Sequence, residues 1–253
     1  MGKECLKATD LCKTYIVKSR SNNVLQNVNF EMEDGEFVTI MGPSGSGKST
    51  LLYTVSGMDN ATAGEVIFNG KDLSKLNKKE IMHLRLTEMG FIFQQMYMMK
   101  KLCILDNIVL PGYQAGGNRK DINERAIKLM RRLGIAETAE HEITEVSGGE
   151  LQRACLCRAL INSPKIIFAD EPTGALNSSA ASGVMRELVN ANREGTGILM
   201  VTHSVKVAAQ SERVIYLIDG GIRGEISLGK INDESEIPSR EKVLNTWLAE
   251  QGW

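Results

Sequence analysis

The chain has 253 residues, of which 42% are hydrophobic and 24% charged, and 30 Lys and Arg against 31 Asp and Glu leave a net charge of −1. This composition excludes a fibrous or disordered chain and argues against unspecific nucleic-acid binding through a basic surface. Aromatic residues make up only 5%, so a stacking surface for single-stranded nucleic acid is also poorly supported. We therefore expect one large or two small globular domains whose partner is recognised at a specific site.

The amino-terminal segment and the cysteines indicate the compartment. Charges occur throughout the first 15 residues without an apolar run, so we predict no signal peptide. Charge-free stretches such as 89–99 are far shorter than the roughly 18 residues that a membrane helix needs. The five cysteines show neither a C-x-x-C pair nor a metal-ligand spacing, which favours reduced thiols in a cytosol.

Short β-branched runs flanked by Gly or Asp predict strands along the chain. These runs are 37–41, 65–68, 91–93, 166–169, 198–202 and 214–218. Between them lie segments with helical spacing of apolar residues, one of which is Ile122, Ala126, Leu129 and Leu133. Because parallel strands need crossover connections, this alternation predicts an α/β fold with a largely parallel central sheet.

One segment, from about 75 to 145, departs from this alternation. It is mostly helical in pattern and contains a loose stretch at 111–118, so we interpret it as a helical insertion in the α/β core. After Gly229 the sequence predicts an acidic linker and then a C-terminal helix that packs on its own domain.

The most informative segment is Gly42–Ser49, which satisfies the pattern G-x-x-x-x-G-K-[ST] between an apolar strand and a helical segment. Glycines let successive backbone N–H groups converge on phosphate oxygens, and the N-terminus of the following helix adds partial positive charge. We expect Lys48 to bridge the β- and γ-phosphates and Ser49 to bind Mg²⁺. The alternative, a plain glycine-rich turn before a helix, is disfavoured by the order strand, loop, helix.

Two carboxylates, Asp170 and Glu171, end the apolar run that begins at Ile166. Asp170 can hold Mg²⁺, because oxygen ligands suit a hard cation, and Glu171 can polarise a water that attacks the γ-phosphate. Adjacent acids are common on protein surfaces, so this hypothesis depends on the phosphate loop in the same chain.

The identity of the base is the next question. A GTPase usually shows an N-K-x-D motif, and the nearest string, Asn77–Glu80, lies in a charged helical stretch that we interpret as a solvated face. Adenine needs only a flat aromatic platform, for which Tyr15 is the candidate, with a core tyrosine as the alternative.

Further strings make the chain resemble the ATPase subunits of the ATP-binding cassette transporters. Residues 146–150, VSGGE, followed by Gln152 and Arg153, look like the family signature, usually LSGGQ. Gln94 matches the glutamine of the family's lid loop, and His203 matches its switch histidine. The resemblance covers roughly 6–229, nearly the whole chain.

The resemblance implies a P-loop NTPase core with a mostly parallel sheet, an antiparallel β subdomain and an inserted helical subdomain. It predicts an ATPase domain at 1–229, with the insertion at about 75–145, and a linker with a C-terminal helix at 230–253. The expected reaction is the hydrolysis of ATP, with Mg²⁺ as cofactor.

The resemblance also assigns roles to individual residues. Tyr15 would stack on adenine, Glu171 would be the general base, and His203, Gln94 and Lys48 would be the other catalytic residues. The expected ligands of Mg²⁺ are Ser49, Gln94 and Asp170. The residues expected to wrap the phosphates are Gly42, Pro43, Ser44, Gly45, Ser46, Gly47, Lys48, Ser49 and Thr50.

In the family, the signature of one subunit caps the ATP held by another. Ser147, Gly148, Gly149 and Glu150 would do so here, which implies a head-to-tail homodimer when ATP binds. Two positions depart from the family pattern: Glu150 replaces the usual glutamine, and Asn177 stands where the family commonly has an aspartate that touches the opposite subunit. The second departure puts communication between the two sites, or the hydrolysis rate, in doubt.

The resemblance implies a separate integral membrane permease as partner, a peripheral position on the cytoplasmic face of the membrane and no nucleic-acid partner. The strings 90–94, 106–111 and 169–176 look most like the group for macrolide export, lipoprotein release and peptide-antibiotic resistance. This favours export or removal of an antimicrobial peptide or other amphiphile. The alternative is a regulatory ATPase of the cell-division type, whose membrane partner transports nothing. Met96–Met99 is either a docking groove for the permease or a local methionine-filled core.

Overall fold

The computed structural model describes residues 4–18, 20–174 and 176–253. The strands are β1 Glu4–Val17, β2 Arg20–Glu33, β3 Phe37–Met41, β4 Ala63–Phe68, β5 Lys71–Asp72, β6 Met89–Ile92, β7 Ile166–Asp170, β8 Gly197–Val201, β9 Arg213–Ile218 and β10 Gly221–Ser227. The helices are α1 Lys48–Val55, α2 Lys78–Glu88, α3 Ile104–Gln114, α4 Arg119–Arg132, α5 Gly148–Leu160, α6 Ser178–Arg193, α7 Val205–Ala208 and α8 Ile237–Gln251.

The described residues form two compact units. The first unit lies within Met1–Ile81 and Gly197–Trp253, and the second is Met82–Thr196. The domain boundaries that the sequence suggests, 1–229 and 230–253 with an insertion at about 75–145, stay a prediction.

The first unit contains two sheets. One is antiparallel, with the order β2-β1-β4-β5, and the other runs β10-β9-β3-β8, with β3 parallel to both β8 and β9. Every residue of β3 and β8 is buried, as expected of strands that are covered on both faces. The carboxyl ends of β3 and β8 therefore lie side by side at one edge of this sheet.

The C-terminal helix α8 packs on the first unit. Leu244 and Leu248 join a buried cluster with Met41 and Tyr216, whereas Val243 is about half exposed. The buried guanidinium of Arg240 donates hydrogen bonds to the backbone carbonyls of Ala209, Ser211, Leu228 and Gly229. Burial lowers the pKa of Arg240. Apolar packing and the hydrogen bonds of Arg240 to backbone carbonyls therefore hold the helix in place.

In the second unit, the buried strand β7 runs parallel to β6, and helices α3, α4 and α5 pack against one another. A Cβ on Gly112 of α3 would lie 2.7 Å from the side chain of Ile122 on α4, so glycine permits the close approach of these two helices. The predicted loose stretch at 111–118 is wrong in its first half, because α3 includes Pro111 and continues to Gln114. The buried Ile108 and Val109 anchor this helix, and their packing outweighs the break that proline would cause.

The expected α/β class is confirmed, and the predicted strands coincide with β3, β4, β6, β7, β8 and β9 within two residues at each end. Among the described residues, no helix combines the length and the apolar character required to cross a membrane.

Candidate functional site

The loop between β3 and α1 requires glycine at two positions. A Cβ on Gly42 would collide with the carbonyl oxygen of Leu217, and one on Gly47 would lie 2.8 Å from the carbonyl oxygen of Val24. Gly47 also has a φ of +101°, in the left-handed region that favours glycine. The surrounding backbone therefore approaches this loop too closely for side chains at these positions.

The same loop offers hydrogen-bond donors to an anion. The N-cap of α1 is Gly47, which makes no side-chain hydrogen bond to the first turn of the helix because glycine has no side chain. The hydroxyl of Ser46 is buried and finds no hydrogen-bond partner among the described residues. Lys48 is buried, and its ammonium group donates to the carbonyl of Pro43 at 2.7 Å. This donor set fits a phosphate chain.

His203 follows β8 at the edge where the phosphate loop follows β3. Ile40 pairs with Val201 in the parallel register, and the N–H of Thr202 donates to the carbonyl of Ile40 at 3.3 Å. His203 itself is exposed. The two motifs therefore leave neighbouring strands at the same level of the sheet.

Tyr15, near the end of β1, is 38% exposed and is held by its hydroxyl. The hydroxyl donates to Asp59 at 2.6 Å, and the ammonium of Lys13 lies 4.7 Å from the ring centroid. Burial and the bond to Asp59 raise the pKa of Tyr15, while Thr50 has the opposite effect. Burial alone would raise the pKa of Asp59, but hydrogen bonds from Lys13 and Tyr15 lower it. Tyr15 therefore lies at the surface and is not a core tyrosine, and its role as an adenine platform stays a prediction.

In the second unit, β6 and β7 end together. Ile92 pairs with Ala169, so the exposed Gln94 and the acids Asp170 and Glu171 emerge from the same edge of this strand pair. Asp170 is buried, and Glu171 has a φ of +46°. A non-glycine residue in this region is strained by about 1–3 kcal/mol, and such strained residues cluster at active sites.

The signature segment forms the N-terminus of α5. The hydroxyl of Ser147 donates to the carboxylate of Glu150 at 2.6 Å, and the N–H of Glu150 donates back to that hydroxyl at 3.3 Å. This capping box explains why glutamate is accepted at position 150. The hydrogen bonds from the side chain and the backbone of Ser147 lower the pKa of Glu150.

The two signature glycines have different surroundings. A Cβ on Gly149 would lie 3.1 Å from that of Ala180, whereas one on Gly148 would meet no heavy atom within 4 Å. Gly148 is exposed and does not have a positive φ. The described part of the chain therefore gives no steric or backbone reason for glycine at position 148.

Gln152 is a residue to which the sequence analysis assigned no role. Its side chain is buried, and its amide donates to the carbonyl of Pro172 at 2.7 Å. The bond ties the signature helix α5 to the loop that follows Glu171. The position of Gln152 within the signature string was the only sequence signal for it.

Asn77–Glu80, the string nearest to a guanine-reading motif, begins helix α2. The side chain of Asn77 accepts from the N–H groups of Lys79 and Glu80, and the carboxylate of Glu80 accepts from the N–H of Asn77 at 2.7 Å. These residues have a local capping role.

Asn177, the second departure, caps helix α6, because its side-chain oxygen accepts from the N–H of Ala180 at 2.9 Å. Aspartate and asparagine cap helices about equally well, so Asn177→Asp is expected to leave the thermal midpoint unchanged. The added charge should nevertheless change ATP turnover measurably. Identical turnover in both proteins, measured as phosphate release, would show that the departure is neutral.

Comparison with known proteins decides the family. The family model described as ABC transporter matches residues 25–174, which include the phosphate loop, the signature and both acids. The chain belongs to the ABC transporter ATP-binding family. The ABC transporter ATP-binding protein YknY of Bacillus subtilis (strain 168) is 36% identical over 229 residues, which cover 89% of this chain and 100% of YknY. The chain is thus the ATP-binding, ATP-hydrolysing subunit of an ABC transporter.

Solved ABC cassettes share its fold. A dimeric structure of the ATP-binding cassette MJ0796 in a post-hydrolysis state, bound to ADP and Pi, has a TM-score of 0.84 at 36% identity, covering 89% of this chain and 100% of MJ0796. CbiO1 of Clostridium perfringens, part of the ABC transporter complex cbiONQ, has a TM-score of 0.79 at 23% identity, covering 96% and 94% of the two chains. The second likeness shows the ABC fold alone.

Proposed function

We propose that the chain hydrolyses Mg-ATP to power a separate integral membrane permease. The observation that carries the ATP site is the buried hydroxyl of Ser46 without a partner among the described residues, beside a helix N-terminus that lacks a side-chain cap. Both are donors that a phosphate chain would satisfy. Lys48 would add a positive charge where the β- and γ-phosphates lie.

The proposed ligands of Mg²⁺ are side-chain oxygens. Ser49, Gln94 and Asp170 would hold Mg²⁺, and the fit rests on hydroxyl, amide and carboxylate oxygens, which this cation prefers. When bound, Mg²⁺ would neutralise negative charge on the phosphates.

Hydrolysis needs a base and a group that aligns the water. Glu171 would accept the proton of the attacking water, and its left-handed backbone, φ +46°, supports a functional role because the strain must be offset elsewhere. His203 would hold the water and the γ-phosphate in line. The hydroxyl of Tyr15 is held by Asp59, which leaves the ring available to stack on adenine.

A second copy of the chain would complete the site. Gly148 is exposed, and a side chain there would meet open space within its own chain. The absence of a side chain at this position would leave room for a phosphate bound to another copy to approach the N-terminus of α5. We therefore expect a head-to-tail homodimer on ATP binding, in which Ser147, Gly149 and Glu150 also face the partner's nucleotide.

The segment Met96–Met99 is the proposed docking surface for the permease. Tyr97 and Met99 are 65% and 54% exposed, which argues against a purely local core. The guanidinium of Arg158 donates to the carbonyls of Met96 and Tyr97 at 2.9 Å each. The backbone of the segment is thus fixed, while Tyr97 and the flexible thioether side chain of Met99 are exposed.

Charge reversal beside this surface tests the docking. Lys100 and Lys101 are exposed, and the variant Lys100→Glu, Lys101→Glu is expected to lose permease binding in pull-down from membranes while keeping its ATPase activity. The matched control reverses Lys120 and Lys128, which are exposed on α4 of the same unit. Unimpaired permease binding in the first variant would count against docking at this surface.

We place the chain peripherally on the cytoplasmic face of the membrane, and we propose that its permease exports or removes an antimicrobial peptide or another amphiphile. The test is to purify the protein from membranes with its bound partner and to reconstitute both in vesicles. ATP-dependent movement of an amphiphilic peptide is the expected result. ATP-dependent activation of a cell-wall hydrolase without transport would instead support the regulatory function.

A further inference from the structure

We infer that Asp59 is a positioning residue for the nucleotide base, holding the Tyr15 ring at a fixed place while Lys13 covers one of its faces. This inference rests on the proposed stacking of adenine on Tyr15. It adds the residues that orient the platform and the face on which the base would stack.

The backbone alone does not fix the ring. The pairing of β1 with β2 shifts in register between Leu11 and Lys13 and again between Lys13 and Thr14, immediately before Tyr15. The ladder is therefore irregular immediately before Tyr15, and Tyr15 itself is 38% exposed. Its orientation depends on the contacts of its hydroxyl and of its covered face.

Asp59 connects the ring to the helix that begins at the phosphate loop. Its N–H donates to the carbonyl of Tyr53 on α1 at 3.0 Å, and its carboxylate accepts from the N–H of Asn60 at 2.8 Å. The other carboxylate oxygen accepts from the hydroxyl of Tyr15 at 2.6 Å. The hydrogen bonds of Asp59 thus connect the ring of Tyr15 to α1, and the N-terminus of α1 is the proposed phosphate site.

Lys13 determines which face of the ring is available. Its ammonium is buried, lies 2.7 Å from Asp59 Oδ1 and 2.7 Å from the carbonyl of Asn60, and sits 4.7 Å from the ring centroid. A purine therefore stacks on the opposite face of Tyr15. The cation against the first face also fixes the ring by a cation–π contact.

The experiment compares the binding of ATP with that of inorganic tripolyphosphate, which has no base, by isothermal titration calorimetry of the full chain. Asp59→Ala is expected to weaken ATP binding about threefold to tenfold, because a misplaced ring loses part of the free energy of one base-stacking contact. The binding of tripolyphosphate should be unchanged. Tyr15→Phe, which keeps the ring but removes the hydroxyl, should weaken ATP binding to the same extent. The double variant should bind ATP as well as either single variant does, because both changes break the same hydrogen bond. Asp59→Asn, which keeps an acceptor oxygen, should recover most of the affinity.

The matched control is Lys75→Ala, which breaks another Lys–Asp ion pair of the first unit, between Lys75 and Asp72 at 2.6 Å. This variant should bind both ATP and tripolyphosphate with unchanged affinity. If Asp59→Ala weakens ATP and tripolyphosphate equally, the residue is merely structural and the inference is wrong. If Tyr15→Ala weakens ATP binding but Asp59→Ala and Tyr15→Phe do not, adenine stacks on Tyr15 but Asp59 does not position the ring. If Tyr15→Ala leaves ATP binding unchanged, the proposed base platform itself fails.

Discussion

Replacing Glu171 by glutamine is expected to lower ATP turnover by about 10²- to 10⁴-fold, the value of a general base. Glutamine has nearly the same shape, but its amide cannot accept the proton of the attacking water. ATP binding should survive, so ATP-dependent dimers should accumulate and be visible by gel filtration. Phosphate release and the elution profile together measure the two effects.

The control for this variant is Glu124→Gln, which removes an exposed acid from α4 of the same unit and should leave turnover unchanged. The left-handed backbone at position 171, φ +46°, strains glutamate and glutamine alike, so a large difference in folding is not expected. Normal hydrolysis by Glu171→Gln would remove Glu171 as the base.

Gly148→Asp is expected to lower ATP turnover severely without harming the fold. A Cβ at this position would meet nothing within 4 Å, and an acid in the first turn of a helix suits the helix dipole. In the proposed dimer, however, the carboxylate would face the γ-phosphate of the partner's ATP, and like charges in contact cost several kcal/mol. Turnover should fall by roughly a hundredfold or more, and ATP-dependent dimers should be lost.

Circular dichroism and thermal melting report on the fold of this variant, and gel filtration with ATP reports on the dimer. Gly183→Asp is the matched control, because a side chain at this position of α6 also meets nothing within 4 Å. A Gly148→Asp protein that still dimerises and hydrolyses ATP would show that no phosphate approaches this glycine.

The parts of the fold that the sequence predicted are those with a strong local pattern. Strands β3, β7 and β8 are buried along their whole length, so they read as continuous apolar runs. The long strands β1 and β2 were not located, because Asp10 and Asn27 take positive φ values and the pairing shifts register repeatedly. Such irregular pairing depends on contacts between distant residues, which no local window contains.

The candidate site divides in the same way. The phosphate loop and the signature are contiguous strings, so their chemistry was predictable from spacing. Asp59 was missed because it meets Tyr15 across 44 residues of sequence, and Gln152 was missed because its partner is a backbone carbonyl. Backbone groups and distant pairs carry no signal in a single sequence.

The most direct test of the account is complementation between two inactive proteins. Lys48→Ala lacks a working phosphate loop and Gly148→Asp lacks a working signature, so a mixed dimer would contain one complete site, built from the loop of one copy and the signature of the other. We predict that each protein alone is inactive and that mixing them restores ATP turnover. Heterodimers that are captured through two different tags and stay inactive would contradict the claim that each ATP is bound between two copies of this chain.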